Sequence, residues 1–274
     1  VSETETRMST GLTKPRPAKP KDGVAWITGA SSGIGEQLAL KLAKKGWTVA
    51  VTARSADKLE ALAARSDGRI HAYPADLLDA DAVARTVEAI EAAQGPIALA
   101  VLNAGIYISV NAEAPRFEDY QKTFRVNLEG TAACVTAVTP RMTARRAGQI
   151  AIVSSATAFG GMPTASAYGA TKAALLNMAE CLAIELWRYG VHVQCVTPGF
   201  VETPAQDDNE FPKPMMVSAE TAAKRIAGDL RSGRFEITFP RGFTWVLKAI
   251  YALPYAWRIA IVRRQTGWNK PPEP

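Results

Sequence analysis

From Gly23 onward, short apolar runs alternate with stretches whose apolar residues recur every three or four positions. The run "VAWIT" passes into a helical pattern ending near Lys45, and "TVAVTA" passes into "SADKLEALAARS", with Ser55 or Asp57 as a cap. "IHAYPA" follows, then "DADAVARTVEAIEAA", where Val83, Val87 and Ile90 share one helix face. "IALAVLNAG" precedes a long helical stretch from about Phe117 to Arg146. "GQIAIVSS" precedes another, from about Ser166 to Tyr189, and "VHVQCVTPG" closes the main alternation. "SAETAAKRIAGDLRSG" reads as one more helix and "RFEITFP" as one more strand. Strands alternating with helices imply right-handed crossovers and a parallel sheet covered on both faces. The expected architecture is a single doubly wound α/β domain over 23–240, behind a flexible arm at 1–22 and before a helical extension at 241–274.

Composition refines this picture without changing it. The chain has 274 residues, 47% hydrophobic and 21% charged, enough to bury a sizeable core. The net charge of +6 is concentrated at the ends: Arg7, Lys14, Arg16, Lys19 and Lys21 lie in the arm, and Arg258, Arg263, Arg264 and Lys270 close the chain. That distribution speaks against a nucleic-acid face, which needs cations along one folded surface. Cys134, Cys181 and Cys195 have no paired spacing and read as reduced core thiols; two histidines make a histidine-based metal site improbable. The N-terminal arm carries no apolar core of the signal-peptide kind, so a cytoplasmic location is expected.

The candidate chemistry begins at "TGASSGIG", Thr28 to Gly35, where a strand runs directly into a helix through three glycines. Glycine is poor strand and helix material, so the turn is shaped for close approach. At a switch point of a doubly wound sheet such a turn lies beneath a dinucleotide, its helix N-terminus facing the pyrophosphate. Gly29 would allow the tight turn, while Gly33 and Gly35 would admit the pyrophosphate and the neighbouring strand; Ser31, Ser32 and Ile34 complete the contact.

The Gly-x-x-x-Gly-x-Gly spacing resembles the short-chain dehydrogenase/reductase family, and further motifs follow in that family's order. Asp76-Leu77 resembles its adenine-contacting pair, and "NAG", Asn103-Ala104-Gly105, ends the fourth strand. Asn127 stands in "VNL", Ser155 closes the fifth strand, "YGATK" supplies Tyr168 and Lys172, and "PGFVET" supplies Pro198, Gly199, Val201 and Thr203. Of the seven tyrosines only Tyr168 is followed four residues later by lysine. The resemblance covers roughly Gly23 to Phe239 and implies a Rossmann-like fold with hydride transfer between a nicotinamide and a carbonyl or secondary alcohol. It implies Tyr168 as acid/base, Lys172 on the phenol and the nicotinamide ribose, Ser155 on the substrate oxygen and Asn127 as the link to a water relay. One helical turn separates Tyr168 from Lys172, which would put a cation beside the phenolate and favour its ionisation. Two departures stand out. Leu102 replaces the first of two asparagines common before Ala-Gly, with looser strand packing expected. Ser32 stands where NADP-preferring members often carry a base.

At the end of the second strand, Ala53 occupies the place of the ribose-binding acid of NAD-preferring members, and Arg54 follows. A guanidinium there suits a 2′-phosphate, so NADP(H) is expected over NAD(H). Phe159, Met162, Phe200, Phe211, Met215 and Met216 fall on loops the family uses for substrate, which suits a lipophilic compound. The motifs are also compatible with epimerisation or dehydration. The rival class is a non-catalytic NADP-binding regulator, but such proteins usually lose the Tyr or the Lys. Resemblance further implies a homodimer or homotetramer built on the two long helices. The extension from Gly242 to Trp268 reads as two short helices broken at Pro254. It has two readings: a cover over the pocket or a neighbouring subunit, or a contact with a membrane surface through its aromatics and basic end.

Overall fold

The computed structural model describes residues 14–202 and 215–270. Its main sheet has seven strands, all parallel: β1 (Val24–Thr28), β2 (Val49–Thr52), β3 (Ile70–Ala72), β4 (Ile97–Leu102), β5 (Gly148–Val153), β6 (Val191–Pro198) and β9 (Glu236–Phe239), in the order β3-β2-β1-β4-β5-β6-β9. A two-stranded ladder of β7 (Val201–Glu202) and β8 (Val217–Ser218), not anticipated from the sequence, follows β6. The helices are α1 (Gly33–Lys44), α2 (Ala56–Ala63), α3 (Ala80–Gln94), α4 (Phe117–Phe124), α5 (Gly130–Ala144), α6 (Ser166–Leu186), α7 (Ala219–Asp229), α8 (Arg241–Tyr251) and α9 (Tyr255–Gln265).

The central strands are continuous apolar runs because both faces are covered. In β1, Ala25 and Ile27 enter the core beneath α1 and α7, while Val24 and Trp26 enter the core beneath α3, α5 and α6. That is the two-residue period of a pleated strand. The buried Trp26 indole donates to Thr52 Oγ1 at 2.9 Å, so its burial leaves no polar atom unpaired. The chain leaves β1 toward β2 and β3 on one side and returns at β4 on the other. The switch point therefore lies past the ends of β1 and β4.

Several sequence expectations need correction. The stretch from Phe117 to Arg146 is not one regular helix: α4 and α5 are joined by a π-helical segment, Arg125–Glu129, that contains the buried Asn127. Cys134 and Cys195 are buried, but Cys181 is exposed, because it lies on the outward face of α6. Leu102 loosens nothing; it is buried among Ala100, Ile150 and Ile152. The last residues of the arm are tied down, with Ala18 buried and its amide donating to Gln149 Oε1 at 2.7 Å. The extension does break at Pro254, which caps α9.

Candidate active site

Strand ends and helix starts meet in a cleft of about 510 Å³ along the switch point. Gly29, Ser31, Ser32, Gly33 and Ile34 line one end, and Gly35 lies just behind them. Gly29 and Gly33 have φ of +67° and +59°, which glycine adopts without strain. A Cβ on Gly35 would stand 2.4 Å from the Gly29 carbonyl oxygen, so only glycine lets α1 begin against this turn. Ser32 begins α1 with no side-chain cap, leaving first-turn amides for an anion in the cleft. Ala53 and Arg54 line the wall after β2; Arg54 is exposed and, among the described residues, has no acidic partner. Asp76 and Leu77 line the wall after β3, where Asp76 Oδ1 accepts from the Leu78 amide at 3.0 Å.

Asn103, Ala104 and Gly105 line the floor. Asn103 braces the glycine turn: its Nδ2 donates to the Thr28 and Gly29 carbonyls at 3.1 and 3.2 Å. Asn127 clasps the next residue through both ends of its amide, accepting from Ile106 N at 2.8 Å and donating to Ile106 O at 3.0 Å. Its Nδ2 also donates to Thr171 Oγ1 on α6. A Cβ on Gly105 would lie 3.2 Å from Asn127 Oδ1 and 3.4 Å from Lys172 Nζ. The bare glycine thus leaves the space shared by those two groups open.

Tyr168, Lys172 and Ser155 face the same cleft. Ser155 follows β5, and its hydroxyl accepts from the Thr157 amide at 3.2 Å. Burial pushes the Tyr168 phenol up to about 12, against a smaller lowering by its hydrogen bond with Ser155. Burial pulls Lys172 down to about 8; its ammonium donates to the Val153 carbonyl at 2.9 Å and lies 5.4 Å from the Tyr168 ring centroid. Burial is the larger influence on the phenol, and the Lys172 ammonium, one helical turn away, is turned to a backbone oxygen.

Pro198, Gly199 and Val201 close the far wall, and Thr203 and Phe211 lie outside the described residues. A smaller pocket adjoins the cleft at Ser155 and Tyr168, walled by Met162, Phe200, Phe243 and Leu247. Of the suggested substrate residues, Met162 and Phe200 line it; Phe159 packs under Lys248, and Met215 and Met216 are exposed. Sequence reasoning missed Phe243 and Leu247, which α8 brings over the pocket. It also missed Tyr107, packed edge-on against Tyr168 with ring centroids 5.1 Å apart. Its place two residues past "NAG" was the one available signal. Lys248 pairs with Glu236 on β9, and the Tyr251 hydroxyl donates to the Gly161 carbonyl at 2.8 Å. These contacts anchor α8 as a roof.

The family profile described as short chain dehydrogenase matches residues 23–212. The chain is 35% identical over 219 residues to an uncharacterized oxidoreductase of Myxococcus xanthus, covering 79% of this chain and 87% of that protein. It is 34% identical over 206 residues to the 3-oxoacyl-[acyl-carrier-protein] reductase FabG of Thermotoga maritima, covering 74% and 82%. The solved structure of ElxO with NADP bound superposes with a TM-score of 0.71 at 26% identity, covering 78% of this chain and 96% of that one. With the glycine turn, the braced floor and the Ser155–Tyr168–Lys172 cluster on one cleft, the chain belongs to the short-chain dehydrogenase family, and its activity is that of a nicotinamide-dependent oxidoreductase.

Proposed function

We propose that this protein is an NADP(H)-dependent reductase of a lipophilic carbonyl compound. The observation that carries this reading is the placing of Tyr168 and Ser155 on the wall shared by the dinucleotide cleft and an apolar pocket. The bound cofactor supplies the hydride. Tyr168 gives its proton to the carbonyl oxygen as charge develops there, and Ser155 hydrogen-bonds that oxygen and holds it in line. Lys172 supplies the positive charge beside the phenol and holds the nicotinamide ribose. Asn127 fixes the Ile106 backbone and orders the space between its own amide and Lys172. Gly29 through Gly35 carry the pyrophosphate, Asp76 and Leu77 the adenine, and Pro198 to Thr203 the nicotinamide side. Retention of both Tyr168 and Lys172 favours catalysis over a purely regulatory NADP-binding role. The test is a screen of ketones, aldehydes and alcohols with NADPH or NADP, read by nicotinamide absorbance; epimerisation or dehydration with no net absorbance change would replace the reading.

Arg54 supports NADP(H) over NAD(H), because an exposed guanidinium with no acidic partner among the described residues is available to a 2′-phosphate. Arg54→Ala is expected to weaken NADPH binding by about 1.5–3 kcal/mol, the scale of a hydrogen bond to a charged group, and to leave NADH nearly unchanged. Titrating both cofactors into parent and variant by fluorescence checks this; a parent that prefers NADH removes it.

The chain is proposed to assemble as a homodimer or homotetramer through α4, α5 and α6. Phe117 on α4 is 74% exposed and Ile184 on α6 78%, so both are available to a second copy. Light scattering of the parent is expected to give a multiple of the 29.3 kDa chain mass. Ile184→Glu is expected to shift that mass toward a single chain.

A further inference from the structure

The hairpin α8–α9 has an outer surface that water does not explain. A helix on an aqueous surface ordinarily turns polar side chains outward. Helix α8 instead exposes Trp245, Val246 and Ala249, with Trp245 64% exposed. Its inner residues Phe243 and Leu247 line the apolar pocket. Helix α9 buries none of its residues and exposes Tyr255 at 71% and Trp257 at 67%, followed by Ile259. Such a helix gains little from the protein it is attached to.

Charge narrows the choice of partner. Residues 241–270 contain six cations, Arg241, Lys248, Arg258, Arg263, Arg264 and Lys270, and no Asp or Glu. Arg241 and Lys248 are paired to Asp229 and Glu236. Arg258 is 3.7 Å from the Tyr255 ring centroid, held on the hairpin itself. Arg263, Arg264 and Lys270 are exposed and have no acidic partner among the described residues. A second copy of the chain docked here by two-fold symmetry would set like charges against like. An anionic lipid surface meets both features: tryptophan and tyrosine settle at headgroup depth, and each nearby cation adds to the attraction. Among the described residues no helix is long and apolar enough to cross a membrane, so the contact is a lying-on one.

We infer that the outer face of α8–α9 rests on an anionic lipid surface, with the aromatic residues Trp245 and Trp257 in the interface and Arg263, Arg264 and Lys270 against the headgroups. The docking surface stands without the carbonyl-reductase reading. Only its consequence rests on that reading: the pocket roofed by Phe243 and Leu247 would lie beside the source of a lipophilic substrate.

Full-length protein should be sedimented with phosphatidylcholine vesicles with and without 30 mol% phosphatidylglycerol (about a third of the lipid carrying charge). Binding is expected to the anionic vesicles at low salt and to fall as salt rises. The double variant Arg263→Ala/Arg264→Ala is expected to bind roughly 30-fold more weakly, at about fivefold per cation removed. Trp257→Glu/Ile259→Glu is expected to lose binding altogether. NADPH binding, measured on the same samples without vesicles, is expected to be unchanged in both. Absence of cosedimentation by the parent at low salt would overturn the proposal. So would retained binding in both variants, or variants that change the oligomeric mass while vesicle binding stays the same. A parent that binds vesicles but reduces no carbonyl would leave this surface standing and sink the reductase reading alone.

Discussion

Tyr168→Phe is expected to cut carbonyl reduction by at least about a hundredfold, the usual scale for loss of a general acid, with NADPH affinity retained. The substitution removes one oxygen and keeps the ring, and the ring is what Tyr107 packs against at 5.1 Å. The wall shared by the cleft and the apolar pocket therefore survives. The phenol is pushed up to about 12 by burial, so at pH 7 almost every molecule carries the proton that the variant lacks. Replacing a half-buried phenol by a benzene ring leaves no orphaned polar atom on the ring itself, and the Ser155 hydroxyl keeps the Thr157 amide as partner. Thermal stability should thus stay close to the parent's, and a loss in kcat with little change in KM would place the effect on the chemical step. Near-parent turnover in this variant would remove Tyr168 from the mechanism and move attention to Tyr107, the other phenol in contact with the pocket.

Much of this was legible in the chain because a parallel sheet covered on both faces writes its strands as uninterrupted apolar runs. "VAWIT" and "IALAVL" are short, β-branched or apolar throughout and bounded by turn residues, which favours strand over helix. Four of the runs were overextended at their carboxyl ends, at Ala53, Asn103, Ser155 and Gly199, and these four residues line the cleft. The reason is physical: those backbones leave the ladder to face a ligand, yet their residues remain small or apolar and look like strand. The glycine turn was legible because Gly29 needs positive φ and Gly35 needs the absence of a Cβ, demands that composition displays directly. The π-helical segment around Asn127 was not, since the tertiary contact it makes, Asn127 to the Ile106 backbone 21 residues away, leaves no mark on local helical periodicity. Nor could the roof be placed from sequence. Phe243 and Leu247 point inward only because Lys248 and Tyr251 fix α8 to Glu236 and Gly161, contacts far from one another along the chain.

Lys172→Met is expected to lower kcat/KM for reduction by at least about a hundredfold, and to weaken NADPH as well, while leaving the fold intact. The reason for choosing methionine lies in how the lysine is housed. Its side chain is 3% exposed, and burial pulls it down to about 8, so at neutral pH the protein holds a buried ammonium at a cost. The sign follows from the direction of the shift. A lysine whose folded value lies below its ordinary one burdens the folded state while both states are charged, below about pH 8, and that burden lifts as pH rises from there toward the ordinary lysine range. Methionine fills a similar volume with no charge to desolvate; its own cost is the Val153 carbonyl left without the ammonium, about 1–3 kcal/mol. The two costs oppose each other, so Tm at pH 7 is expected to stay close to the parent's, which separates lost chemistry from lost folding. The same housing sets a pH signature for the parent: kcat/KM for reduction should fall as pH rises through about 8, where the free enzyme loses the Lys172 charge. That falling limb should be missing from the residual activity of the variant. A parent profile flat from pH 6 to about 10 would remove the charge at position 172 from the proton transfer, and a variant with parent-like NADPH affinity would remove it from cofactor binding.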